Sequence, residues 1–340
     1  APTQSADRYR RDVNYINREI IMTYRNIFVA SIALFLTLIN SVFAANKTHV
    51  ADTQGAGNSR VSIAYIFASV DLSGQYDVLG GGTIFISGKE TGNTLALEYM
   101  LGVTDRFDIG ISMPLSDAVT ADAEYKNGTD TFKQQYKTEG VGDISFIAQA
   151  LLLEKQESKI SWGVGLKFRP ATAASDEGDS ELTTNGVVTQ VGKPGKAGNG
   201  YSSTRIGTLI SIPAGGGDFY IEATHSVYGE KTTAGVKSKN GSDTTLSFGI
   251  EVMPSDKTTI APYARYMNTS SGYSGTGTKL AYSIFGAGLS ITQDVSKHLS
   301  VKFDGAYVKV GDIVTNYSSG DKSTMSGGGL GFNISAMTFF

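Results

Sequence analysis

Cysteine is absent from the 340-residue sequence, and tryptophan (one), histidine (three) and proline (seven) are scarce. Without thiols there is no disulfide framework, no thiolate metal site and no cysteine nucleophile. No zinc-type spacing of histidine and carboxylate occurs either, so neither metal nor cofactor is expected. Past residue 45 no apolar run approaches the roughly 20 residues of a transmembrane helix. A net charge of −3 offers a polyanion nothing to bind, which removes nucleic acid from the expected partners. Disorder is excluded as well, because 17 tyrosines and 16 phenylalanines are spread among apolar residues that recur at short spacing.

What does recur is alternation with period two. Leu330, Phe332, Ile334, Ala336, Thr338 and Phe340 share one parity, so this segment offers one face to an apolar medium and the other to a polar one. The final aromatic resembles the sorting signal of outer-membrane β-barrels, which makes Phe340 the expected assembly signal for the barrel-assembly machinery. An edge strand of a soluble sandwich shows the same alternation, so the rest of the chain decides.

Near the start of the sequence Arg25 precedes an apolar stretch at 27–39, followed by Ser41, Val42, Phe43 and Ala44. A basic region, a hydrophobic region and a small-residue cleavage site stand in order. About thirteen apolar-rich residues are too few to span a bilayer. The expected organisation is an upstream extension at 1–21, a cleavable signal peptide at 22–44, a periplasmic segment at 45–59 and a barrel over 60–340. A retained membrane anchor is the alternative.

Short connections at 104–106, 154–157, 214–217, 254–256 and 294–297 alternate with longer polar ones at 116–139, 171–201, 230–241, 269–277 and 311–323. Tight periplasmic turns and longer outer loops belong to an up-and-down transmembrane barrel, whereas a soluble sandwich has no reason to sort its loops. The predicted strands are 60–71, 93–103, 106–116, 140–153, 158–170, 202–213, 217–229, 242–253, 257–268, 278–292, 298–310 and 324–340. Residues 80–88 fit a further strand, an extension above the membrane or part of the first outer loop. The fold class is therefore all-β, a transmembrane antiparallel barrel of about twelve strands. Its expected place is the cell outer membrane, in contact with lipid and lipopolysaccharide.

Charge tells the two faces apart. In 158–170, Ile160, Trp162, Val164, Leu166 and Phe168 oppose Ser161, Gly163, Gly165, Lys167 and Arg169, and 94–103, 107–113, 243–252 and 298–308 divide in the same way. One Lys or Arg on the lipid face near the midplane costs about 2–4 kcal/mol, so turning two or three strands over would exceed a typical net stability. The charged parity must face the lumen. It carries Glu98, Asp108, Asp143, Glu222, Glu251 and Asp304 against Lys167, Arg169, Arg205, Arg265 and Lys302. Two segments are less regular. Phe285, Leu289 and Ile291 oppose Leu280, Tyr282 and Ile284, and Leu209 falls on the inward parity, as bulges would produce. Tyr99, Trp162, Phe168, Phe219, Tyr228, Tyr266 and Tyr307 suit the two interfacial aromatic girdles.

Near-balance of acids and bases fits either a lining for polar solutes or a salt-bridged filling that blocks flow. A barrel of about twelve strands lies between the filled and the open sizes. A barrel hydrolase needs a histidine beside Ser or Asp; His49 lies before the first strand and His298 at a periplasmic turn, which leaves only His225, near the outer half of a strand, so no enzyme is expected. Asp176, Glu177, Asp179 and Glu181 in an outer loop suit a divalent ion, the bridging ions of lipopolysaccharide, or plain solvation.

Specific residues also carry a family likeness. The run Gly140, Val141, Gly142, Asp143, followed by two long strands ending in Gly165, Leu166, Lys167, Phe168, Arg169, Pro170, resembles the outer-membrane barrels of the phenol meta-pathway degradation or transporter-like family. The stretch 103–111, Val-Thr-Asp-Arg-Phe-Asp-Ile-Gly-Ile, is similar to that family's first tight hairpin. The likeness covers 93–172 directly, with Ala171 and Thr172 where members commonly carry Thr-Gly. It implies a monomeric barrel passing small, often aromatic or hydrophobic, solutes, and it brings no defined binding residues. The expected function is passive uptake of small molecules. Its rivals are a non-conducting structural or adhesive barrel and a membrane hydrolase built on His225.

Overall fold

The computed structural model describes residues 53–79, 82–154, 160–172, 175–176, 181–197, 200–214, 217–233, 236–275 and 277–340. The expected upstream extension and signal peptide lie outside the described residues.

The alternating segments form a wall of twelve antiparallel strands. These are β1 (Ser59–Asp77), β2 (Thr83–Thr104), β3 (Phe107–Asn127), β4 (Asp130–Gly140, resumed at Ser145–Leu153), β5 (Ser161–Arg169) and β6 (Ser203–Ala214). They continue with β7 (Gly217–Tyr228), β8 (Asp243–Ser255), β9 (Thr258–Thr269), β10 (Tyr282–Ser296), β11 (Leu299–Tyr317) and β12 (Lys322–Phe339). Each strand pairs with its neighbour in sequence, and β12 returns to β1 from Arg60↔Phe339 to Asp77↔Lys322. Closure removes the exposed edges that an open sheet would carry. At the seam the Ser59 N–H donates to the Phe340 carbonyl at 3.1 Å and the Phe340 N–H to the Ser59 carbonyl at 2.9 Å.

Two of the expected outer loops are wall instead. Residues 116–139 continue β3 and β4 up to a tight turn at Gly128 (φ +60°), and 311–323 continue β11 and β12. The open segment 80–88 resolves as strand from Thr83 onward. Elsewhere at this end, Glu181–Thr184 pairs with the outer part of β4, and Gly277–Lys279 pairs with β11. The wall therefore rises well above the lipid.

Along these strands the polarity turns over. Near the periplasmic end the outward residues of β1 are Val61, Ile63, Tyr65 and Phe67; further up they are Asp71, Ser73 and Gln75, with Ala68, Val70, Leu72 and Tyr76 buried inside. The same reversal occurs along β3. Phe107, Ile109 and Ile111 face out below, while Val119, Ala121, Ala123 and Tyr125 are buried above and Asp122 stands exposed opposite Lys89. A bulge at Leu115 shifts the register, since Leu95 pairs with Ser116 and Ala96 with Pro114. The upper segments are built like a water-soluble barrel, and the rule of grease outside holds only below them.

The two irregular segments need no bulge where it was expected. Leu209 is fully buried within an unbroken β5–β6 register, and Tyr282 and Ile284 are inward residues of the upper apolar cluster. Tyr228 leaves the proposed girdle, because it is buried and its hydroxyl donates to Asp243 at 2.5 Å. At the break in β4, Gly140 adopts φ +136° and the Gly142 N–H reaches the Pro114 carbonyl at 3.1 Å.

Candidate functional site

The interior is divided by height. In its lower part every strand alternates with period two, so polar side chains that lipid would reject point inward. Arg60 donates to Glu98 at 3.0 Å, and Tyr263 donates to Asp304 at 2.7 Å. The Arg265 guanidinium lies 5.6 Å from the centre of the Tyr263 ring, and its Nε donates to Ser247 at 3.2 Å. Asp108 is completely buried at the periplasmic mouth. Its carboxylate accepts from the Gln54 backbone N–H at 3.0 and 3.1 Å and from Gln149 Nε2 at 2.9 Å, which ties the segment before β1 across that end.

Above this belt the lining becomes apolar. Val70, Leu72, Ile84, Ile86, Val119, Ile284, Val308, Val310 and Met325 form one buried cluster. Glu90 sits inside it between Val70 and Ala121, only 3% exposed, and its Oε1 has no hydrogen-bond partner. The outward ladder at this height is Asp71, Lys89 and Asp122, so the rung stands in water outside the membrane. Burial there pushes the Glu90 carboxyl well above the ordinary glutamate range.

The outer surface of the extension is polar. A groove of about 660 Å³ is lined by Asp71, Lys89, Asp122, Glu124, Lys133 and Glu181 among others. Hydrogen bonds from Lys126 at 2.8 Å and Lys133 at 3.1 Å hold the partly exposed Glu124 carboxyl below its usual value. Between the turns at the outer rim, Asp321 accepts from the Leu79 N–H at 2.8 Å and from the Tyr76 hydroxyl at 2.7 Å. Burial pushes the Asp321 carboxyl up, but these bonds and one from Ser319 outweigh it and leave its pKa lowered.

No family model matches the chain, and a sequence search among curated proteins finds no match. Solved structures do match. An outer membrane channel from Pseudomonas putida F1 superposes with a TM-score of 0.53 at 8% identity, over 85% of this chain and 98% of its own. A FadL homologue from Pseudomonas aeruginosa gives 0.46 at 10% identity, covering 83% and 90%. The CymD monoaromatic hydrocarbon channel gives 0.41 at 10%, covering 84% and 89%. The chain has the outer-membrane β-barrel fold.

Within this outer-membrane barrel the charges singled out by parity fall as follows. Asp108, Asp143, Glu222, Arg265, Lys302 and Asp304 are buried on inward positions, while Glu98, Lys167, Arg169, Arg205 and Glu251 share the inward parity and are partly buried. They do not form one site. Glu98 meets Arg60, Asp304 meets Tyr263, and Lys167 lies opposite Arg205 on another stretch of wall. His225 faces outward, its Nδ1 2.9 Å from the Thr244 hydroxyl, and Phe340 is exposed at the seam. Arg60, Asp117, Gln149 and Asp243 escaped the sequence reading. For Arg60 the signal was present, since it stands on the parity opposite Val61 and Ile63.

Proposed function

We propose that the protein is an outer-membrane channel through which small molecules, aromatic or hydrophobic ones among them, cross passively, and that it is not an enzyme. The observation that carries this reading is the closed wall with an apolar outer belt around a lining polar below and apolar above. The proposed passage is diffusion down a gradient. The outward aspect of His225 supports the non-enzymatic reading, since a general base has to reach its substrate. Lipopolysaccharide would meet the polar flanks of the strand extensions, and the barrel-assembly machinery would read Phe340.

The test is refolded protein in a planar bilayer together with solute uptake into liposomes. Discrete conductance with passage of small solutes is expected. Correctly inserted barrels that stay silent and exclude every solute would refute the channel. The apolar cluster in the upper interior favours a second reading, a non-conducting barrel with binding loops, and the same silence would establish it.

A further inference from the structure

The groove on the outer face of the strand extensions is floored by two complete rungs. Across β1, β2, β3, β4 and the Glu181–Thr184 strand, the lower rung reads Asp71, Lys89, Asp122, Gln135 and Glu181. The upper rung reads Ser73, Ser87, Glu124, Lys133 and Thr183. All of these residues line the same open cavity of about 660 Å³. Four strand intervals of about 4.8 Å make its floor roughly 19 Å long, room for a linear chain lying across the strands. Beneath it the outward rung Ser69, Thr91 and Thr120 is uncharged but still polar, so the groove stands clear of the lipid.

Much of this lining has hydrogen-bonding capacity left over. Glu124 takes Lys126 at 2.8 Å and Lys133 at 3.1 Å, and Asp122 accepts from Gln135 Nε2 at 2.7 Å. Among the described residues, the side chains of Asp71, Lys89 and Glu181 have no hydrogen-bonding or ionic partner, although Lys89 stands opposite both Asp71 and Asp122. One rung above Ser87 on the same face, Phe85 is 63% exposed to water.

The signs along the lower rung decide what fits. Negative, positive, negative, neutral and negative follow one another, so a chain of one sign meets its own sign somewhere along the row. Such apposition is costly and turns away polyions. Nor do any three carboxylates among the described residues gather closely enough to share a metal ion. A hydroxyl both donates and accepts, so an uncharged chain of hydroxyls satisfies carboxylate, ammonium, amide, Ser and Thr alike. Phe85 at the rim offers an apolar surface to the C–H side of a ring.

We propose that this groove binds a linear, uncharged saccharide chain, its hydroxyls bonded to Asp71, Lys89 and Glu181 and one sugar ring resting on Phe85. The site lies outside the wall and goes beyond the channel reading, on which it does not depend. Free oligosaccharides and the sugar chains of outer-leaflet lipopolysaccharide present the same chemistry.

Calorimetric titration of the full chain tests this in a polyoxyethylene detergent, since a sugar-headed detergent would compete. Cellopentaose and maltopentaose are the free neutral probes, with pentagalacturonate as the acidic counterpart and a glucosamine pentamer as the basic one. Smooth lipopolysaccharide and its deep-rough form, which lacks the outer sugars, report on the lipid-borne source. The expected result is saturable binding of a neutral pentamer, which assigns a free sugar, or of smooth but not deep-rough lipopolysaccharide, which assigns the membrane's own; binding of both shows that the groove takes either. Both charged pentamers should bind more weakly than the neutral ones. Asp71→Ala with Glu181→Ala should weaken the bound sugar about tenfold or more, as loss of hydrogen bonds to charged groups implies, and Phe85→Ala should weaken it as well. These side chains point outward, where substitution seldom disturbs folding. If the variants nevertheless fail to fold, the wild-type ranking of the probes decides alone. The proposal is overturned if neither a neutral pentamer nor smooth lipopolysaccharide binds, if a charged pentamer binds as well as the neutral ones, or if the two lipopolysaccharide forms bind equally and no pentamer does. Affinities unmoved by the variants overturn it too.

Discussion

Single residues report most sharply where the medium changes. Glu90 lies in the apolar cluster with a raised pKa, so the folded state keeps its proton to higher pH than the unfolded chain does. Below the ordinary glutamate pKa both states are protonated and the residue is neutral to stability. As pH rises past that value the unfolded chain releases the proton first, and stability falls until the folded carboxyl also ionises. Urea unfolding followed by the emission of Trp162 should therefore show a decline with rising pH that Glu90→Gln abolishes. The variant should gain about 1–3 kcal/mol in mildly alkaline buffer, the order expected for relieving an unpaired buried polar group. At the opposite end, Asp108→Asn weakens the hold on Gln54, and faster amide exchange in residues 53–58 is the expected result. Residue-level sequence reading placed Asp108 inward on parity alone. It had no means of finding the Gln54 and Gln149 partners, which come from the segment before β1 and from β4, the strand paired with β3.

For the strands, the lower halves were legible because lipid penalises a misplaced charge so heavily that parity is a strict guide. Their upper halves were also written with period two: Val119, Ala121, Ala123 and Tyr125 alternate with Thr120, Asp122, Glu124 and Lys126. That pattern reads as polar loop when the lipid rule is applied to it, and the bulge at Leu115 breaks its continuity with Phe107–Met113. The change of medium along β1 gives a direct check. Lysine in place of Ile63, half exposed on the lower outward face, should cost about 2–4 kcal/mol in vesicle-reconstituted protein. Lysine in place of Ser73, on the same parity but in water, should stay within about 0.5 kcal/mol. Equal costs at both positions would place the upper wall in lipid.

Taken whole, the molecule is a cylinder closed by one seam. Twelve strands follow from pattern and hairpin length, but the seam joins residues far apart in sequence, and only an even count of up-and-down strands pointed to it. Phe340 contributes two backbone hydrogen bonds to Ser59 there besides its exposed ring. Deleting Phe340 should slow formation of the heat-modifiable folded band in a gel time course, whereas Phe340→Tyr, which keeps the backbone bonds and an aromatic ring, should fold at nearly the parental rate. Equal rates for the deletion and the parent would remove this residue from assembly.

The reversal of polarity partway up β1 and β3 also fixes how deep the cylinder sits. A purely greasy belt lets a barrel slide until its rims meet resistance, but here a downward slip of two residues on β1 would bring Ser69 and then Asp71 toward acyl chains, while an upward slip would strand Phe67 in water. Both directions run uphill, so the protein carries its own draught mark. In a thicker or thinner bilayer the lipid has to deform around it, because the barrel has no second height at which to float.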